Sequence, residues 1–236
     1  ALEAQAAAAL PPHTLMQRAG LAVARLAMAL APHARHIWIA CGPGNNGGDG
    51  FEAALQLHAH GFDTTVSWRG DAAALPHDAR AALARLQAAG LNCTQDAPDQ
   101  WDLAIDALLG LGSRRPPEAH LADWLQQMHA AQAPLLSVDL PSGLDADTGA
   151  STGPSLASRA PRHCLSLLNL KPGLFTADGR DRCGTLWFDD LNWPATDICA
   201  ADAWLPGAAP VHRRAHASHK GSFGDVAVLG GATGMV

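Results

Sequence analysis

The stretch Cys41-Gly42-Pro43-Gly44-Asn45-Asn46-Gly47-Gly48-Asp49-Gly50 constrains this chain more than any other. An apolar run, His36-Ile37-Trp38-Ile39-Ala40, precedes it and reads as a buried strand. Phe51 to Leu57 follows it and reads as a helix closed by Gly61. Strand, glycine-rich turn and helix together aim backbone N–H groups at an anion. Glycine permits positive φ and lets a ligand approach the backbone. Gly42, Gly44 and Gly47 fit the G-x-G-x-x-G spacing of dinucleotide binders, a weak signal alone that its strand-and-helix context strengthens. Two details depart from that pattern. Asn45 and Asn46 place two side-chain amides in the turn. Asp49 places a carboxylate at the helix start, where a bound pyrophosphate would be repelled. Such a carboxylate suits a catalytic or cation-assisted site; the competing reading makes Asp49 a helix N-cap.

Further along, strands alternate with helices. Thr14-Leu15-Met16-Gln17 has the form of a capping box, and Leu15, Ala19, Ala22, Leu26 and Leu30 then recur at helical spacing, as core packing. Thr64–Trp68 is β-rich. Leu75–Ala89, with Pro76 early and Gly90 as stop, predicts a helix. Cys93 lies in a short strand, and Leu103–Ile105 is an apolar run ending in Asp106. Pro117–Ala131 carries Leu121, Trp124, Leu125 and Met128 on one face. Leu135–Val138 is another buried strand, running into Asp139-Leu140-Pro141-Ser142-Gly143; Cys164–Leu170 and Thr185–Phe188 predict two more. This alternation indicates an α/β fold: a three-layer α/β/α, Rossmann-like, mostly parallel sheet. Ala200–Ala217, rich in Pro, Ala and Arg, reads as a linker. Beyond it Val226–Leu229 and Gly230-Gly231 read as a new strand and a second glycine turn, the start of another domain.

Composition removes several classes. A net charge of −6 argues against nucleic acid as a partner. No run reaches membrane-spanning length, and the alanine-rich start lacks the basic flank of a signal peptide. Five scattered cysteines suit a reducing cytoplasm. No C-x-x-C or H-E-x-x-H occurs, and the twelve histidines carry no metal-ligand spacing, so they read as surface or core residues.

Three polar clusters sit at the ends of apolar strands: Asn45/Asn46/Asp49, Asp106 and Asp139/Ser142. Open α/β sheets bind ligands outside the carboxyl ends of their strands, where strand order reverses, so the three are expected to meet in one crevice. Amide, carboxylate and hydroxyl oxygens are hard donors that suit a hard cation. One carboxylate among neutral oxygens favours a monovalent ion.

Leu15-Met16-Gln17-Arg18-Ala19-Gly20, Cys41 to Gly50, Asp106 to Gly110, Val138 to Gly143 and Lys171-Pro172-Gly173 occur in this order. Together they resemble the NAD(P)HX epimerase family, the YjeF N-terminal domain, over roughly residues 1–200. His219-Lys220-Gly221 to Gly231 resembles the opening of the ADP/ATP-dependent NAD(P)H-hydrate dehydratase. The resemblance implies an epimerase domain over 1–205, with 206–236 a linker and the cut-off start of a fused ribokinase-like dehydratase. It implies interconversion of the R and S forms of C6-hydrated NADH and NADPH, the substrates rather than cofactors. It implies potassium held by Asn46, Asp106 and Ser142. Substrate contacts fall to Asn45, Asn46, Gly47, Gly48 and Asp49, to Gly110, Leu111, Gly112, Ser113, Arg114, Arg115 and Pro116, and to Asp139 and Lys171. It also implies a homodimer or higher homo-oligomer. Inverting a hemiaminal carbon needs proton transfers that a positioned carboxylate supplies: Asp139 first, Asp49 second. Two positions depart from the family pattern, Ala160-Pro161 before the sixth strand and Cys164 in place of a usual threonine. Lys171 keeps a family role or serves as a turn lysine beside Pro172. A rival reading, a Rossmann oxidoreductase binding intact NAD, would use Asp71 at the ribose. A second is a non-catalytic nucleotide-binding scaffold.

Overall fold

The structure, a computed structural model, describes residues 2–112, 116–153, 158–193, 203–205, 207, 216–217, 219 and 227. Residues 1–200 and 201–236 form separate units, and the fold is that of the first. The predicted final strand Val226–Leu229 and turn Gly230-Gly231 lie outside the described residues apart from Ala227.

In chain order the elements are α1 (Leu2–Ala9), α2 (Thr14–Leu30), β1 (His36–Cys41), α3 (Asn45–Ala59), β2 (Asp63–Trp68), α4 (His77–Ala88), β3 (Cys93–Thr94), β4 (Leu103–Ala107), α5 (Ala119–Ala130), β5 (Leu135–Val138), β6 (Arg162–Leu167), α6 (Gly179–Cys183) and β7 (Thr185–Asp189). The seven strands form one sheet in the order β3-β2-β1-β4-β5-β6-β7. Every pairing is parallel. Both faces are covered, which is why β1, β4 and β5 read as continuous apolar runs. Alternation along β1 assigns the layers. Ile37, Ile39 and Cys41 pack with α2, α3 and α4, while Trp38 and Ala40 pack with α5. A third cluster, Leu140, Leu144, Cys164, Leu174 and Cys183, underlies α6. Trp38 is fully buried, and its indole N–H donates to Ser67 Oγ at 2.9 Å, so a large apolar group enters the core with its polar atom satisfied. No described helix is long and apolar enough to cross a membrane.

Three local expectations are corrected. Helix α3 begins at Asn45, with Gly44 as its N-cap, so Gly47, Gly48 and Gly50 lie in the helix rather than the turn. No glycine of this stretch has positive φ. Close packing is what demands them: a Cβ at Gly42 would lie 1.6 Å from Leu108 O, and one at Gly47 would lie 2.1 Å from Gly42 O. Asp49 therefore stands inside α3 and is not its cap. The capping box at Thr14 does not form either. His13 is the N-cap of α2, in the left-handed region (φ 66°) and without a side-chain cap bond. The alanine-rich start, unassigned in sequence, is the helix α1. Finally, β6 ends at Leu167, because Leu168 takes φ 65° and turns the chain toward Asn169 and Lys171.

Candidate functional site

Strand β1 has β2 on one side and β4 on the other, and the helices that follow β1 and β4 cover opposite faces. That is the topological switch point of the sheet, and a cleft of about 950 Å³ opens there. The first turns of α3 line it with Asn45, Asn46 and Asp49. The segment after β4 adds Leu109 to Gly112 and Pro116; Asp139, Asn169 and Lys171 come from beyond β5 and β6. Glu3, Leu15, Met16 and Ala19 reach it from α1 and α2.

The floor is built around Asp106, a carboxylate on β4 that is 1% exposed. Its oxygens accept from Ser142 Oγ (2.6 Å), Ser142 N (3.0 Å), Leu108 N (3.2 Å) and Ser137 Oγ (3.4 Å). Burial raises its pKa, and the bonds from Ser142 and Leu108 pull it back. Ser142 Oγ in turn accepts from Leu109 N at 2.9 Å. Leu109 O accepts from Asn46 Nδ2 at 3.1 Å and from Ser142 Oγ at 3.4 Å. Leu109 thus ties Asn46 to Ser142, and Ser142 ties them to Asp106, although the three come from the start of α3, from β4 and from the loop beyond β5. Asn46 Oδ1 is left buried with no partner, which costs free energy unless something fills the gap. From below, Arg182 clamps the Ser142 loop, donating to Ser142 O at 2.8 Å and Gly143 O at 2.9 Å. Gly143 holds φ 80° there.

The wall carries an ion pair. Asp139 sits just past β5 in the left-handed region (φ 68°), a costly placement for a residue with a Cβ. Its Oδ1 accepts from Leu167 N at 3.1 Å and from Lys171 Nζ at short distance. The Lys171 ammonium, 5% exposed, also donates to Leu167 O (2.8 Å) and Ser166 Oγ (3.3 Å). Its three donors are therefore used. Asp49 has no such ion-pair partner among the described residues. Its pKa is raised well above the ordinary value by burial, then by the charges of Asp139, Glu3 and Glu52, with Lys171 opposing. Two carboxyl groups on one cleft thus sit in different environments, the arrangement that separates an acid from a base.

Of the residues expected at the site, Asn45, Asn46, Asp49, Gly110, Leu111, Gly112, Pro116, Asp139 and Lys171 line the cleft. Asp106 and Ser142 lie beneath it. Gly47 and Gly48 are not among the lining residues; they pack against Gly42 and against Met16 and Ala79. Ser113, Arg114 and Arg115 lie outside the described residues. Sequence reasoning missed Glu3, Asn169 and Arg182, which no motif marks. It assigned Leu15 and Ala19 to the core, whereas they also face the cleft.

Fold and site define a doubly wound α/β protein with a nucleotide-sized, carboxylate-bearing cleft. The family described as YjeF-related protein N-terminus matches residues 12–173, and the chain belongs to that family. It is 39% identical over 182 residues to an NAD(P)H-hydrate epimerase of Achromobacter xylosoxidans, covering 75% of this chain and 86% of that protein. It is 35% identical over 240 residues to the bifunctional NAD(P)H-hydrate repair enzyme Nnr of Escherichia coli, covering 94% of this chain and 44% of that protein. The chain therefore spans less than half the length of that bifunctional relative. The crystal structure of yeast ynu0 shares the fold, with a TM-score of 0.63 at 21% identity over 80% of this chain and 86% of that one.

Proposed function

We propose that this chain is an NAD(P)H-hydrate epimerase, the N-terminal part of a bifunctional epimerase and dehydratase. The observation that carries the reading is the pair Asp49 and Asp139, facing one cleft above a floor of hard oxygen atoms. The names of the relatives supply the substrate, hydrated NADH or NADPH, and its C6 hydroxyl beside ring N1 makes a hemiaminal. Asp139 takes the hydroxyl proton. The C6–O bond becomes a carbonyl as C6–N1 breaks, and protonated Asp49 delivers a proton to N1. Return of N1 to the opposite face of the carbonyl, with both protons handed back, inverts C6. Loss of the hydroxyl as water, with Asp49 as acid, and re-addition from the other face with Asp139 as base would use the same two groups. Lys171 orients Asp139.

Asn46, Asp106 and Ser142 fit a potassium ion: the unpartnered Asn46 Oδ1 offers an oxygen, and the buried Asp106 carboxylate gains from a cation nearby. When bound, the ion supplies fixed positive charge beneath the substrate. A homodimer or higher homo-oligomer in the cytoplasm completes the proposal. Four free cysteines among the described residues accord with a reducing compartment. The oxidoreductase reading gains no support, because Asp71 caps a short turn through Ala73 N and is not among the cleft-lining residues.

The test supplies the R-form hydrate together with a separate S-specific dehydratase. Reduced cofactor should appear only when this chain is present; its failure to appear would overturn the reading.

A further inference from the structure

One cluster of metal-ligating side chains plays no part in the proposed chemistry. His13, the N-cap of α2, and His77 and Asp78, which open α4, bring three ligand atoms within 4.8 Å of one another. Both imidazoles point at the same atom: His13 Nδ1 lies 2.8 Å and His77 Nδ1 3.2 Å from Asp78 Oδ1. The rings stack at 5.0 Å between centroids with 20° between planes. His13 reaches this position by taking the left-handed backbone (φ 66°), which few residues other than glycine adopt. Asp78 also lines the rim of the cleft.

We infer that His13, His77 and Asp78 form a binding site for a divalent transition metal of the zinc class. The donor chemistry selects it, since two neutral imidazoles and one carboxylate suit zinc, cobalt, nickel or copper and not a hard alkali or alkaline-earth ion. The spacing suits it as well. Metal–nitrogen bonds of about 2.0–2.1 Å set tetrahedral ligand atoms about 3.3 Å apart, so the 2.8 and 3.2 Å separations open by up to about half an ångström and the separation between the two histidine ligand atoms, within 4.8 Å, adjusts to the same length. Three protein ligands leave a fourth position for water. The metal pins the first turn of α2 to the first turn of α4 at the mouth of the cleft. This site is separate from the potassium floor, and its ligands are different atoms of different chemistry. It stands whatever the cleft binds.

The experiment titrates the full chain, freed of metal by chelator, with zinc by calorimetry and with cobalt(II) by visible absorption. The protein should bind one zinc whose affinity falls at least 100-fold in Asp78→Asn and in His77→Ala. Cobalt should give a tetrahedral d–d band in the parent protein that both variants lose. His77 is exposed, so His77→Ala should keep its circular dichroism and isolate the ligand effect. Zinc binding of equal strength in parent and variants, as other histidines and cysteines would provide, overturns the inference; so does a cobalt spectrum of octahedral type throughout.

Discussion

At the scale of single residues, the Asp139–Lys171 pair is where stability and chemistry meet. Removing one member of a buried pair strands the other, at a cost of about 3 kcal/mol or more. Asp139→Asn is therefore expected to lower the midpoint of thermal unfolding as well as abolish epimerisation, by at least about 100-fold in the coupled assay. Lys171→Met added to Asp139→Asn should restore much of the stability and none of the activity, because it removes the stranded charge without returning the base. A double-mutant cycle by denaturant unfolding measures the coupling. Near-normal turnover in Asp139→Asn would refute its role. Asp49 predicts a different signature. Its folded pKa is raised, so its neutral form favours folding. That contribution is complete below the unfolded pKa near 4 and is lost as pH rises through the folded value. Asp49→Asn should match the parent protein in stability at pH 3.5. It should then become the more stable of the two as pH rises, the gap growing by up to about 1.4 kcal/mol per pH unit until the folded pKa is passed. Urea unfolding across that range checks it; a gap that shrinks with pH would contradict the burial of this carboxyl.

At the scale of elements, α3 is held against β1 and β4 by the absence of side chains. Alanine normally favours a helix over glycine by about 1 kcal/mol. At Gly47 that gain is overridden, since its Cβ would stand 2.1 Å from Gly42 O, a backbone atom that cannot step aside. Gly47→Ala should cost about 2 kcal/mol or more in chemical denaturation, in line with overpacking of a fixed backbone. Gly44→Ala meets nothing within 4 Å and should cost only about 0.5–1 kcal/mol, the loss of a preferred N-cap residue. Equal effects would mean that α3 can slide on the sheet. The same glycines explain what was legible in sequence. A local code reads Gly47-Gly48-Asp49-Gly50 as a turn, and only the approach of Gly42 and Met16 reveals a helix. The central strands β1, β4 and β5 were readable because both sheet faces are buried, leaving runs that are apolar apart from Ser137 until Asp106 and Asp139 mark their ends. The convergence of those carboxylates followed from topology. Lys171 on Asp139 did not, nor did Arg182 under Ser142, because a long side chain's reach leaves no periodic trace. His13 and His77 stand too far apart for ligand spacing to expose them, and α2 begins at the expected cap itself, Thr14, because the left-handed His13 takes the capping place.

At the scale of the whole molecule, the floor of the cleft links three segments that no single element holds. Asn46 comes from the first turn of α3, Asp106 from the end of β4 and Ser142 from the loop beyond β5; Leu109 joins Asn46 to Ser142, and Ser142 joins Asp106. A ligand that binds only when these segments are assembled must stabilise the assembled state by mass action, by about 2.7 kcal/mol at a hundred times its dissociation constant. For a unit of this size that corresponds to a rise of about 5–10 °C in the unfolding midpoint. Thermal unfolding in potassium chloride is expected to exceed that in choline chloride at matched ionic strength, with sodium giving a smaller gain. Asn46→Ala should remove the difference by deleting the unpartnered oxygen, and should lower the midpoint in choline only through loss of its side-chain bond to Leu109 O, about 0.5–1.5 kcal/mol. Screening of surface charge would raise the midpoint equally with every monovalent salt and in both proteins, so a rise common to potassium, sodium and choline, or one that survives Asn46→Ala, would show that the oxygen-lined floor binds no ion and that its buried amide oxygen is simply left unpaired.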